Sequence, residues 1–78
     1  MSFADAMRDE GTLEECLDEV GELVAGLDRY APTMLAVALR VHLEALLQAL
    51  LEGEVCTRAE VRAFVKELKR EALQHEGE

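Results

Sequence analysis

Residues 32–52 have the sequence PTMLAVALRVHLEALLQALLE, which is rich in leucine, valine and alanine. A helix is predicted to begin at Pro32, because proline suits the first helical position and disfavours the α region for the residue before it. Gly53 is expected to supply the left-handed residue that ends this helix. Apart from Thr33 and His42, its polar side chains form one i, i+4 stripe of Arg40, Glu44, Gln48 and Glu52. A helix so apolar around its circumference needs neighbours on more than one side.

Amphipathic segments precede and follow this central helix. Upstream, Thr12 and Glu15 form a predicted capping box, and downstream Thr57 and Glu60 form a second one. Ser2 is a suitable N-cap for a short helix at the start of the chain. Apolar residues recur with helical periodicity after each cap. The sequence therefore predicts helices over about residues 3–9, 13–27, 32–52 and 58–74.

The chain is predicted to be one small all-α domain over residues 1–78. Only 4% of its residues are aromatic and one is proline, a composition that favours helices over a sheet. Three long helices joined by short turns predict a three-helix antiparallel bundle, with the short first helix as an N-terminal arm. In that bundle the first and third long helices lie parallel, so the acidic flank of one is expected to face the basic flank of the other.

The apolar surface of the central helix predicts a symmetric homodimer. Two neighbours with apolar arcs of about 100° cover only part of a helix that is apolar over more than about 200°. A chain of this length also forms a thin core, which oligomerisation often supplements. The residues expected in the dimer contact are Leu35, Leu39, His42, Leu43, Leu46 and Leu50. His42 is interpreted as a packed or interface histidine, because no second ligand stands at metal-binding spacing from it.

The net charge of −9 argues against direct binding of nucleic acid, whose readers carry a basic face. The first residues contain acids and no apolar run of signal-peptide length, and charged residues interrupt the central segment, so a cytoplasmic protein without a membrane span is expected. Cys16 and Cys56 are then expected to be free thiols. Their positions near the same end of the predicted bundle leave a disulfide open as an alternative.

The first long helix carries an acidic face made of Glu14, Glu15, Asp18, Glu19 and Glu22. The favoured interpretation is a solvated face that keeps the protein soluble. As an alternative, such a face occupies the basic groove of a nucleic-acid-binding protein, as in inhibitors encoded by phages and mobile elements. That alternative predicts a partner with a basic surface.

The spacing Glu15-x-x-Asp18-Glu19-x-x-Glu22 resembles the carboxylate helix of all-α nucleotide pyrophosphohydrolases. The resemblance implies a metal-dependent hydrolase that holds Mg²⁺ or Mn²⁺ on this helix. Those enzymes use a second acidic motif on the following helix, where this chain has only Glu44 and Glu52. The resemblance therefore covers about eight residues of the chain and half of the ligand set.

No Gly-rich phosphate loop and no Ser/His/Asp arrangement occurs, since the only serine is Ser2. We therefore expect a small non-enzymatic protein–protein interaction module, with no catalytic residues, cofactor or metal. It would act as a regulator, adaptor or inhibitor through its dimer surface or its acidic face.

Overall fold

A computed structural model describes residues 1–74 of the chain, which are helical and contain no strand. The helices are α1 (Phe3–Arg8), α2 (Glu10–Ala25), α3 (Pro32–Glu52) and α4 (Arg58–Ala72). The predicted all-α class is therefore confirmed. The expected bounds of α3 are also confirmed, and α4 begins at the expected residue but ends slightly earlier, at Ala72. Residues 75–78 of the predicted tail, including His75, lie outside the described residues.

The N-terminus of α2 differs from the prediction. The cap is Asp9, whose carboxylate accepts a hydrogen bond from the Thr12 amide at 3.4 Å. Thr12 consequently lies inside the helix, and the predicted Thr12–Glu15 capping box is wrong. An acidic cap satisfies free amides and carries the sign of charge that the helix dipole favours, so it extends α2 towards α1. At the other end α2 stops at Ala25, with Gly26 as C-cap.

The capping box before α4 is confirmed. The Glu60 amide donates to Thr57 Oγ1 at 3.1 Å, and the Thr57 amide donates to Glu60 Oε1 at 2.9 Å. Ser2 and Asp5 form an equivalent box at α1, in which the Ser2 backbone amide and then its hydroxyl hold the pKa of the Asp5 carboxyl below its usual value. Because the pKa of Asp5 is lowered in the folded state, its ionised carboxyl stabilises the fold at pH values above the usual pKa. That contribution is lost as the pH falls through the lowered pKa.

The end of α3 is formed by Glu54 and not, as predicted, by a left-handed Gly53. Glu54 has φ 57°, whereas Gly53 has φ −80°. The Glu54 amide donates to the Leu51 carbonyl at 3.1 Å and the Val55 amide donates to the Leu50 carbonyl at 2.9 Å, which is the Schellman arrangement. Gly53 serves another purpose, since a Cβ there would lie 3.2 Å from the Ala49 carbonyl oxygen.

The helices contact one another over a few residues as two pairs, α1 with α2 and α3 with α4. The two pairs meet where the Phe3 and Phe64 rings stack, with centroids 4.5 Å apart and planes 9° from parallel. At the turn between α2 and α3, the Arg29 guanidinium lies 4.7 Å from the centre of the Tyr30 ring. Over residues 1–74 neither α2 and α3 nor α2 and α4 are closely packed along their lengths. The predicted packing of three long helices around one core therefore stays a prediction.

Candidate interaction surfaces

The face of α3 that was predicted to form the dimer contact is only partly covered. Leu35, Leu43 and Leu50 are half-buried, whereas Leu39 and His42 are exposed and Leu46 is 63% exposed. Successive helical residues advance by about 100°, so these six side chains fall in one continuous arc of the helix. The structure thus brings the predicted residues together on one face and leaves part of that face open to solvent.

A second apolar face of α3 was missed by the sequence analysis. Met34, Val37 and Val41 lie on the other side of the helix and are all at least half exposed. Met34 also borders a shallow apolar cavity with Leu27 and Tyr30 at the α2–α3 turn. The signal that could have found this face was the wide apolar arc of α3, of which only one side had been assigned to a contact.

The apolar side of α2 is also largely exposed, although Val24 on that side is half-buried. Leu17 is 62% exposed and Leu23 is 70% exposed. Leu13, which precedes them, and Val20, which lies between them, are also exposed. These four side chains recur every three or four residues and therefore form one stripe on α2. A stripe of this kind ordinarily faces a core, so the single chain leaves α2 without the neighbour that its sequence pattern requires.

The acidic face of α2 covers the rest of the helix surface, with Glu14 and Glu19 at the two edges of this stripe and its other members on the far side. Its members, Glu14, Glu15, Asp18, Glu19 and Glu22, are all exposed. Within residues 1–74 none of them forms an ion pair, and no three His, Cys, Asp or Glu side chains converge in a way that could hold a metal ion. The spacing that resembles a pyrophosphohydrolase helix is thus present on α2, and the described residues add no further ligands to it.

The outer side of α4 combines apolar and basic side chains. Val65 is 45% exposed and Leu68 is 48% exposed. Arg70 is paired with Glu67 and Glu71, and the hydrogen bond from Arg70 lowers the pKa of Glu67. The other bases of this helix, Arg58, Arg62, Lys66 and Lys69, form no ion pair with any residue of the described chain.

Both cysteines are free thiols in the structure, but their surroundings differ. Cys56 is 5% exposed and is the only buried residue within residues 1–74, whereas Cys16 is exposed. The cavity beside Cys16 and the cavity beside Cys56 both border Met1 and Ala6, and the nearness of the two thiols stays a prediction.

By length and composition α3 is the one helix of the described chain that could cross a membrane, with a mean hydropathy of 1.6 in its most apolar window. A core helix of a soluble protein satisfies the same criterion. No protein family matches this chain, and no curated protein or solved structure is significantly similar to it. Its function must therefore be inferred from the surfaces just described.

Proposed function

We propose that this chain is a small non-enzymatic protein–protein interaction module that works as a homodimer in the cytoplasm. The observation that carries the proposal is the amount of surface left open by one chain. A folded monomer of 8.7 kDa is expected to expose about 4,700 Å². This chain exposes 6853 Å².

The difference of about 2,100 Å² is of the size that one subunit contributes to an obligate interface, since such interfaces bury about 2,000–5,000 Å² over both partners. The radius of gyration of 14.1 Å supports the same conclusion, because a compact chain of this length has a value near 11–12 Å. Much of the open surface is apolar, on α2, α3 and α4. A second copy is the partner that is always present at the same concentration as the first.

We place α3 in a water-soluble interface and not in a bilayer. Arg40 and Glu44 lie near the middle of the helix, where each charge would cost about 2.5–3.5 kcal/mol to bring to the bilayer centre. Arg40 Nε and Glu44 Oε1 are 3.5 Å apart on an exposed stripe. At a protein interface this stripe simply stays in water, at no such cost.

The test is the mass of the wild-type protein in detergent-free buffer, measured by light scattering after size exclusion at micromolar concentration. We expect twice the chain mass of 8.7 kDa. The mass of a single chain would contradict the homodimer and would require another protein to cover the apolar surface. Recovery of the protein only in the membrane fraction would contradict the soluble interface.

Two further functions depend on the acidic face of α2. If that face occupies the basic groove of a nucleic-acid-binding protein, binding to such a protein should weaken steeply with added salt. If it holds metal for nucleotide hydrolysis, calorimetry should give a saturable Mn²⁺ isotherm. We favour the non-enzymatic dimer because the exposed apolar surface of α2 and α3 has no role in either alternative.

A further inference from the structure

We propose that the second copy of the chain lies against α2, so that α2 of each copy packs on α4 of the other. This inference rests on the proposed homodimer and goes beyond it, because it assigns the acidic helix to the dimer contact. The sequence predicted that α2 and α4 lie side by side in one chain. In the structure they are not closely packed, yet each retains the surface that such a contact would use.

The contact surface of α2 is an apolar stripe with an acidic border. Glu14 stands three residues before Leu17, and Glu19 stands four residues before Leu23, so each carboxylate lies beside an exposed leucine on the same side of the helix. The two acids border the stripe on opposite edges when residues advance by about 100°. Asp18 and Glu22, by contrast, lie on the far side of α2.

The contact surface of α4 is an apolar strip with a basic border. Arg62 stands three residues before Val65, and Lys69 stands four residues after it, which places both bases beside this exposed valine. Leu68 continues the strip along the helix. Both bases lie on one edge of this strip, and that basic edge is complementary to an acidic edge of the stripe on α2.

The charges of the four helices favour this pairing over any other. α2 carries six acids and no base, and α4 carries five bases and three acids, which makes α4 the only helix of the described chain with a positive net charge. No ion pair joins α2 to α4 within residues 1–74. Two copies with a net charge of −9 each repel one another, so contacts that place unlike charges together would favour a dimer.

A two-fold axis makes both contacts equivalent. If α2 of the first copy lies on α4 of the second, then α2 of the second lies on α4 of the first. Each dimer then contains two α2–α4 contacts, which together cover both exposed stripes. Exchange of equivalent elements between copies is a common route to dimers of small domains.

The experiment uses two full-length variants with reversed charges. Variant A carries Glu14→Lys and Glu19→Lys, and variant B carries Arg62→Glu and Lys69→Glu. We expect each alone to raise the dimer Kd by about tenfold or more, because like charges then face one another in both contacts. An equimolar mixture of A and B should form a heterodimer with a Kd within about threefold of wild type, since both of its contacts pair unlike charges.

Two controls separate this contact from a general effect of charge. Variant A changes the net charge from −9 to −5. Relief of overall repulsion alone would therefore lower the dimer Kd, whereas the proposed contact predicts that variant A raises it. Asp18→Lys with Glu22→Lys changes the net charge equally on the far side of α2 and should not weaken the dimer. Circular dichroism of each variant verifies its helix content.

The outcomes distinguish the two proposals. A heterodimer in the mixture supports the α2–α4 contact between copies. Rescue only when all four substitutions stand in one chain would place the contact within a chain and overturn the inference, as would dimers unaffected by A and B. A monomeric wild type would overturn the homodimer itself.

Discussion

The α3–α4 corner and the α2 helix differ in how far a single chain completes them. At the corner, the Schellman turn after α3 leads directly into the capping box of α4, and Cys56 between them is buried. On α2, a regular helix of 16 residues has no buried residue at all. Hydrogen bonds between neighbours in sequence therefore suffice for the corner, whereas α2 would obtain its packing only in the proposed dimer.

The largest expected effect comes from a charge on the exposed face of α3. Leu39→Asp or Leu46→Asp should give a monomer or an unfolded chain, because burial of an unpaired carboxylate in an apolar contact costs several kcal/mol. Light scattering and circular dichroism measure the two results. Gln48→Asp, on the polar stripe, is the matched control and should leave the dimer intact. A Leu46→Asp variant that keeps the dimer mass would remove α3 from the contact.

Serine substitutions of the two cysteines test how well the α3–α4 corner and α2 are each buried. Cys56→Ser should lower the free energy of unfolding by about 1–3 kcal/mol, because it buries a hydroxyl without an assigned partner. Cys16→Ser should lower it less, since Cys16 is exposed in the single chain. Urea unfolding at equal protein concentrations measures both. An equal loss for the two variants would show that the assembled dimer covers α2 as fully as the corner.

A stabilising substitution is expected at the end of α3. Glu54→Gly should raise the free energy of unfolding by about 1 kcal/mol, because a left-handed backbone costs a residue with a Cβ about 1–2 kcal/mol. Glu52→Gly makes the same exchange inside the helix and should lower stability by about 1 kcal/mol. If both variants lose stability, the left-handed conformation at Glu54 is not maintained in solution.

The smallest expected effect lies on the outer face of α2. Replacement of Glu15, Asp18 and Glu22 by glutamine should change stability by less than about 1 kcal/mol, since these exposed carboxylates form no ion pair within residues 1–74. Dimer affinity should also stay near that of the wild type. Urea unfolding measures the stability, and calorimetry with Mn²⁺ measures metal binding. A heat of Mn²⁺ binding that the wild type shows and the variant loses would make α2 a metal site.

Features of the fold that depend on residues close together in the chain could be predicted from the sequence, although competing local signals misplaced two of them. Pro32 and the Thr57–Glu60 box located helix starts correctly, because caps depend on residues three apart in the chain. The start predicted at Thr12 was wrong because Asp9, three residues earlier, caps the first amides of α2 instead. The left-handed conformation predicted for Gly53 was wrong. Without a Cβ, Gly53 lies close to the Ala49 carbonyl oxygen, and the positive φ occurs at Glu54.

Side-chain surroundings were harder to predict. The predicted dimer face of α3 proved to be one arc, since helical periodicity alone determines which residues share a face. Met34, Val37 and Val41 escaped notice because periodicity does not tell which of two apolar faces a neighbour covers. Cys16 and Cys56 could not be ranked by burial from their spacing, because burial depends on how distant helices pack.

Tyr30 at the α2–α3 turn gives the protein an optical reporter. The chain has one tyrosine and no tryptophan, so its ultraviolet emission arises at a single known position. The Arg29 guanidinium over the ring and the neighbouring Met34 side chain make that emission sensitive to rearrangement of the turn. A rearrangement of the α2–α3 turn can therefore be followed in real time by tyrosine fluorescence, without a dye or a tag.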